Sequence, residues 1–454
     1  MSNNSSIPLR VAKFGGTSVA DFDAMNRSAD IVLASPAVRV VVLSASAGVT
    51  NMLITLSEGN AAEQRTHYLY EIRRIQYSII DRLSEKTLIR TEIDQMIDSI
   101  AMLSEEAGLA TSLALTDELV SYGELMSTRL FFALLQQRHV AVAWFDVRQV
   151  MRTNAQFGRA EPDNHILKVK TRRLLLPRLA SELVITQGFI GSERRGRTTT
   201  LGRGGSDYTA ALLGEALNAG RIDIWTDVPG IYTTDPRVVP QAKRITEISF
   251  EEAAEMATFG AKILHPATLL PAVRSEIPVF VGSSKEPSAG GTLVYHDAGH
   301  PPIFRALALR RRQTLLTLHS LNMIYARGFL AEVFNIMARH AISVDLISTS
   351  EVSIALTIDT TGSTTTGASL ITHTLLAELT TLCRVEVEEG LALVAVIGNQ
   401  LSQGGRVGKE VFSVLEPFNI RLICYGASSH NLCLLVPGSD AEKVVRALHS
   451  SLFG

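Results

Sequence analysis

Through roughly residue 300, short β-branched runs at 10–14, 38–43, 183–186, 223–226 and 278–281 alternate with long amphipathic stretches. Each run is followed by small or turn-forming residues. No other feature narrows the fold as much. Strands separated by helix-length segments build a largely parallel sheet flanked by helices, an α/β domain whose ligands bind beyond the strand carboxyl ends. From about 63 to 137 the pattern is almost wholly helical, which predicts a helical subdomain beside that sheet. A Gly/Pro-rich stretch at 296–302 closes the region, so 1–300 is expected to form one domain and 301–454 another.

The second region repeats itself. Glu332-Val333-Phe334 matches Glu410-Val411-Phe412 at an offset of 78 residues, and the same offset pairs Ile342 with Ile420, Ser350 with Ser428 and Leu356 with Leu434. Both copies read as helix, turn, strand, turn, strand, and the first copy's strand after the helix spans 342–351. Two copies are too few for a solenoid and predict a tandem of small α+β modules. The first would cover about 313–391, the second about 392–454 with a strand at about 303–311. At that offset Ile423 stands in place of Asp345 and Ser429 in place of Glu351, so the first copy keeps two carboxylates that the second lacks.

Composition removes several function classes. The 454 residues are 46% hydrophobic and 19% charged, the balance of a core-forming globular chain, and the net charge of -2 offers no electrostatic hold on nucleic acid or an anionic membrane. No apolar run reaches bilayer length, and the polar start lacks the apolar core of a signal peptide. Cys383, Cys424 and Cys433 form no metal-ligand spacing, and an odd number is a poor disulfide framework. A cytoplasmic protein is expected. The stretch 404–410 is too short for a Walker loop and has Glu410 where Ser or Thr is needed, no GxGxxG is followed by a suitably placed acid, and His265 before Pro266 reads as structural.

Four stretches remain that could carry chemistry. In LRVAKFGGTS (9–18) a strand over 10–14 carries Lys13 near its end and is followed at once by Gly15 and Gly16, a phosphate-loop composition with the lysine placed first. In LGRGGSD (201–207) three glycines surround Arg203 before a helix. Such a loop brings backbone and guanidinium close to an anion, although Ser206 or Asp207 would equally serve as an ordinary helix cap. WTDVPGIYTTDPR (225–237) carries hydroxyls, a tyrosine and an arginine through two proline turns, and is also readable as a strand end with a type II turn. In TDELVSYGELMS (116–127), Glu124 shares a helical stripe with Val120, Ser121, Ser127 and Thr128. That stripe either leaves space for a ligand ammonium or belongs to a solvated face.

Together KFGGTS, SASAGVTN (44–51), ELVSYGELMS (118–127), TTTLGRGGSDYTA (198–210) and WTDVPGIYTTDPR strongly resemble the aspartate kinases, closest to the lysine-sensitive, monofunctional members of enteric-type bacteria. The resemblance covers essentially the whole chain and implies an amino-acid-kinase fold followed by tandem ACT domains. It implies transfer of the γ-phosphoryl group of ATP, as its Mg²⁺ complex, to the β-carboxylate of L-aspartate. By resemblance Lys13 bridges phosphate oxygens with the Gly15 and Gly16 amides alongside, and Asp207 orients that lysine. Arg203 clamps the α-carboxylate, Glu124 partners the ammonium, and Thr50 and Ser206 are polar substrate contacts. Thr226, Asp227, Tyr232, Arg237 and Lys262 fall on nucleotide positions. Magnesium is expected on the ATP phosphates, and no protein metal ligand is named.

The resemblance also places an inhibitory L-lysine site in the first module, at Met323, Phe329, Leu330, Ser343, Val344, Asp345, Ser350 and Glu351. Lysine carries two ammonium groups, which suits the two acids found only in that copy. Pairing through the ACT modules implies a homodimer, with a tetramer as the alternative. Two other readings use the same residues: a kinase with a glutamate-type acceptor, and a catalytically silent amino-acid sensor.

Overall fold

The computed structural model describes residues 8–260, 264, 266–296, 299, 301–320, 328–359, 371–403 and 405–454; the expected site positions Lys262 and Met323 lie outside them. The chain divides into two compact units. The first comprises Met1–Ile231, Arg244–Phe250 and Lys262–Ala298, and the second Tyr232–Lys243, Glu251–Ala261 and Gly299–Gly454.

The first unit is built on an eight-stranded sheet. From one edge its strands are Glu247–Ser249, Gly291–Tyr295, Val279–Ser283, Arg221–Thr226, Arg10–Phe14, Val38–Leu43, Leu183–Gln187 and Val142–Phe145. Every neighbouring pair is parallel except Val279–Ser283 with Gly291–Tyr295. The central strands are buried nearly end to end, as strands covered on both faces require. Their register aligns the carboxyl ends: Phe14 lies beside Leu43 and Trp225, Leu43 beside Gln187, and Thr226 beside Ser283. One row of loops therefore leaves a single edge. Three long helices, Ala62–Ile80, Thr87–Leu109 and Leu113–Gln137, occupy the region read as helical, and share a core with strands Arg10–Phe14 and Val38–Leu43 through Ile72, Ile79, Ile93, Ile100, Leu119 and Phe131.

The second unit holds a six-stranded antiparallel sheet in the order Ile347–Thr349, Ser353–Asp359, Phe304–His319, Arg384–Gly398, Asn431–Pro437 and Leu422–Tyr425. The two long central strands are shared. Residues 313–319 pair with Ser353–Asp359 and with the start of Arg384–Gly398, whereas 304–311 pair with its far end. The register shifts around Arg312, which has φ +60, and this irregularity separates two apolar cores. One core gathers Leu316, Val333, Ile336, Leu356 and Leu375, the other Leu307, Val394, Val411, Leu434 and Val445.

A single cut at 300 does not describe this chain. Segment 232–243 groups with the second unit because Val238 and Val239 pack into its second core and Leu307 N–H donates to the Thr233 carbonyl at 2.6 Å. The repeat is visible in the elements, for helices Phe329–Arg339 and Val407–Leu415 begin 78 residues apart, as do strands Ser353–Asp359 and Asn431–Pro437.

The strand expected at 342–351 is shorter, running only Ile347–Thr349. Before it the backbone is irregular: Asp345 N–H donates to the Thr357 carbonyl (2.9 Å), and Leu346 N–H donates to Thr357 Oγ1 (2.9 Å). In the second copy Arg421 N–H makes the same bond, to the Leu435 carbonyl at 2.8 Å, and Ile423 pairs with Leu434 just as Ile347 pairs with Leu356. The edge strands therefore correspond at an offset of 76, not 78. The residue standing for Asp345 is Arg421 and not Ile423, because the two copies differ by two residues between helix and strand.

Candidate active site

Lys13 is the penultimate residue of strand Arg10–Phe14 and is almost completely buried, at 8% exposure. Its Nζ lies 2.5 Å from Asp207 Oδ1, and the two side chains are 10% and 14% exposed. Asp207 sits in the first turn of helix Gly205–Leu217, where the macrodipole also favours a carboxylate. That helix starts where it does because Gly202 and Gly204 adopt left-handed φ values of +76 and +73, a region most side chains avoid. The turn lifts the chain over Phe189 and brings Ser206 against Gly188, where even a β-carbon would come within 2.5 Å of the serine side chain. Arg203, between the two turned glycines, is exposed.

Gly15 does not contribute its amide as expected, since that N–H donates to the Trp225 carbonyl at 3.0 Å and extends the sheet. It provides space instead: a β-carbon there would stand 3.6 Å from Lys13 Nζ. Gly16 permits a close crossing, for its β-carbon would meet the Ala45 carbonyl at 2.8 Å. The next loop, after Leu43, turns at Gly48 (φ +84) into helix Val49–Ser57, whose second residue is the half-buried Thr50. Thr226 and Asp227 leave the adjacent strand end, with Thr226 Oγ1 donating to Asp227 Oδ1 at 3.2 Å. Ser284 N–H closes the loop onto the Thr226 carbonyl at 2.8 Å.

Glu124 is 3% exposed on helix Leu113–Gln137. Its Oε1 accepts from Ala45 N–H at 3.1 Å, while Oε2 is buried without a hydrogen-bond partner among the described residues. Burial pushes its pKa up to about 8, the Ala45 amide only partly opposing this. The stripe around Glu124 is buried, not solvated. Ser127 Oγ donates to the Ser44 carbonyl (2.8 Å), and Thr128 Oγ1 donates to the Glu124 carbonyl (2.8 Å) while accepting from Trp144 Nε1 (3.1 Å) and Gln187 Nε2 (3.0 Å). Those hydroxyls pin the helix to the strand ends and leave one carboxylate oxygen uncommitted.

The first unit thus gathers Lys13, Gly15, Gly16, Thr50, Ser206, Asp207, Thr226 and Asp227 along its carboxyl edge, with Glu124 beneath Ala45. Tyr232 and Arg237 belong to the second unit. Arg237 is bound there to Asp235 by Nη2–Oδ2 and Nε–Oδ1 contacts of 2.8 and 3.0 Å. Asp117 was not singled out from sequence, yet it is 1% exposed and accepts four hydrogen bonds from Gly158 and Thr200. Its seven-residue spacing from Glu124 was the available signal, because two helical turns put both acids on one face.

In the second unit Asp345 is half-buried and pairs with Arg310 Nη1 at 3.0 Å. Glu351 is exposed, and Ser350 Oγ accepts from Ser353 N–H at 3.1 Å in the same turn. Phe329 and Leu330 open a helix after Gly328 (φ +93), Leu330 being 44% exposed, and Ser343 and Val344 precede Asp345 on the irregular segment.

The amino acid kinase family model matches residues 8–283, and an ACT domain model matches 394–452. Lysine-sensitive aspartokinase 3 of Escherichia coli (strain K12) is 72% identical over 98% of this chain and 99% of its own length. Chloroplastic aspartokinase 1 of Arabidopsis thaliana is 36% identical over 98% and 80%. The crystal structure of E. coli aspartokinase III with aspartate and ADP, in its R-state, matches with a TM-score of 0.91 at 71% identity over 98% of this chain and all of that one. The T-state complex of the same enzyme with lysine and aspartate gives 0.85 at the same identity and coverage. On this likeness, spanning both the kinase region and the regulatory region, the chain belongs to the aspartokinases of the amino acid kinase family.

Proposed function

We propose that the protein phosphorylates the β-carboxylate of L-aspartate with ATP, giving 4-phospho-L-aspartate and ADP, and that L-lysine inhibits it by binding at the first ACT module. One observation carries the reading: a single sheet edge holds a buried cation fixed by an acid, Lys13 with Asp207, above a buried acid with an open oxygen, Glu124.

The chemistry needs little beyond this. A carboxylate acceptor is already ionised at neutral pH, so its oxygen attacks the γ-phosphorus without a general base, and the bond from phosphorus to the β-γ bridging oxygen breaks to release ADP. The obstacle is that two anions must meet. Lys13 neutralises phosphoryl oxygens as they approach, and Asp207 holds the ammonium at the strand end so that little reorganisation accompanies the step. Gly15 puts no side chain beside that ammonium, where a phosphate would approach. Aspartate is held at three points, its ammonium by Glu124, its α-carboxylate by Arg203, and its polar groups by Thr50 and Ser206. ATP enters as its magnesium complex with Thr226, Asp227, Tyr232, Arg237 and Lys262 as contacts. Magnesium dehydrates reluctantly, and the nucleotide phosphates are its main ligands.

Lysine inhibits by preferring one of two conformations, since equal affinity for both would shift nothing. Asp345 and Glu351 receive its ammonium groups, with Met323, Phe329, Leu330, Ser343, Val344 and Ser350 around them. We place the enzyme in the cytoplasm as a homodimer joined through its ACT modules; partly exposed Ile347, Ile423 and Tyr425 on the outer strands supply apolar surface for pairing. The test is ADP release with L-aspartate or L-glutamate as acceptor, with and without L-lysine. Aspartate-dependent release suppressed by lysine is expected. Preference for glutamate overturns the acceptor, and no release with either makes the chain a sensor.

A further inference from the structure

We propose that Asp117 is a positioning residue that sets Arg203 at a fixed distance from Glu124, an inference resting on the reading that Arg203 binds the acceptor's α-carboxylate. Asp117 lies near the start of helix Leu113–Gln137, whose N-cap Ser112 accepts from Leu115 N–H at 3.1 Å. Both of its oxygens are used. Gly158 N–H donates to Oδ1 and Oδ2 at 3.0 and 2.9 Å, Thr200 N–H to Oδ2 at 2.9 Å, and Thr200 Oγ1 to Oδ1 at 2.8 Å. The carboxylate so ties together two segments distant in sequence. They are further joined by Ala160 N–H donating to the Thr200 carbonyl (2.8 Å) and by the Thr153 and Thr199 hydroxyls 2.7 Å apart.

What these bonds hold in place is the root of the glycine loop. Thr200 stands three residues before Arg203. At Gly202 the chain packs against Gly158, where a β-carbon would be in van der Waals contact with the Gly158 carbonyl at 3.4 Å. Beyond Thr200, glycines at 202, 204 and 205 give the chain little stiffness of its own. The other end of the gauge is Glu124, two helical turns along, where Ser127 and Thr128 tie the same helix to the strand ends. One rigid element thus carries the ammonium partner directly and the carboxylate clamp through Asp117. The separation of those two groups is what an α-amino acid must match. Burial pushes the Asp117 carboxyl up from its ordinary range, against the pull of the Gly158 and Thr200 hydrogen bonds. A purely apolar residue would pack at such a site with less penalty, so the bonds the acid accepts are what offset the cost of burying it.

The test is Asp117→Asn with separate kinetics for each substrate. Asparagine keeps the size but turns an NH2 toward backbone donors, so at least one of the Gly158 and Thr200 bonds is lost. The KM for aspartate is expected to rise by about tenfold or more, as for one hydrogen bond to a charged group, with the KM for ATP within about twofold of wild type. Hydrogen exchange should quicken in 153–160 and 198–204 and nowhere else. Thr200→Val should raise the aspartate KM in the same direction and Thr200→Ser should restore it; this pair carries the test if Asp117→Asn does not fold. Equal increases in both KM values, or unchanged exchange in those two segments, overturn the proposal. Arg203→Ala separates the two ideas: if it leaves the aspartate KM unaltered while exchange still quickens in Asp117→Asn, the role given to Arg203 is wrong and the tie between the loops stands.

Discussion

Glu124 makes a prediction in which stability and activity move in opposite directions. Its carboxyl is buried, one oxygen has no partner among the described residues, and its pKa is pushed up to about 8 from an ordinary 4.5. For an acid so shifted, stability is fully present below pH 4.5, where folded and unfolded chains both hold the proton. It is lost as pH rises toward 8, because the unfolded chain has ionised and the folded one has not. Each pH unit in that window costs ~1.4 kcal/mol, so at pH 7 the ligand-free enzyme carries a penalty on the order of 3 kcal/mol from this one side chain. Glu124→Gln has the same shape and no proton to lose. It should therefore be more resistant to heat and urea than wild type at pH 7 to 8, and the gain should vanish near pH 4.5.

Aspartate binding should respond the other way. In the proposed role Glu124 must be ionised to hold the ammonium, so kcat/KM for aspartate in wild type should rise by about tenfold per pH unit below 8 and level off above it. In Glu124→Gln this acid limb should disappear and kcat/KM at pH 8 should fall by about 10- to 150-fold, the ~1.5–3 kcal/mol of a charged hydrogen bond. The KM for ATP should stay within about twofold. Urea titrations at pH 4.5 and 8, together with initial rates across pH 6 to 9, measure both. A variant that uses aspartate as well as wild type, or one whose extra stability is the same at both pH values, refutes the reasoning.

Lys13→Ala should lower turnover by ~100-fold or more, the loss typical of one charge-stabilising donor, and near-normal turnover would remove Lys13 from the chemistry. Glu351→Ala should raise the lysine concentration needed for half-inhibition while leaving uninhibited turnover intact; unaltered sensitivity counts against the first-module site. Arg310→Gln should do the reverse and lower that concentration by about two- to fivefold, the ~0.5–1 kcal/mol of a partly exposed ion pair. Its guanidinium holds the Asp345 carboxylate that lysine would take, and if inhibition in this variant needs more lysine than before, the pair supports the site and does not compete for it.

Much of the site was legible because its residues are punctuated by backbone constraints that sequence records. Strand ends followed by glycine located Lys13, and the glycines around Arg203 located the second loop. What sequence could not supply was which backbone groups are already spent. Gly15 reads as an amide donor until the register shows that its N–H belongs to Trp225. The stripe beside Glu124 reads equally as a solvated face or as space, because periodicity reports which side a residue lies on and not what faces it. For Asp117 the spacing from Glu124 put both acids on one helix face, but its role stayed hidden for the same reason, its partners Gly158 and Thr200 lying 41 and 83 residues away.

The repeat shows the same limit most clearly. Side chains alternate along a strand with a period of two, so sliding one copy past the other by two residues leaves the inside and outside pattern unchanged. Hydrophobic matching therefore cannot distinguish an offset of 78 from one of 76 on the edge strand, and only the hydrogen bonds to Thr357 and Leu435 decide it. The decision alters the chemistry. Where the first module carries Asp345, the second carries Arg421, itself bound to Glu388 at 2.6 Å. The two copies thus differ at this position by a reversal of charge, not by the loss of an acid to an apolar residue. Lysine, with two ammonium groups and one carboxylate, would meet a guanidinium in the second copy at the place matching Asp345, so the proposed effector site is separated from the packing module more sharply than an isoleucine would separate it.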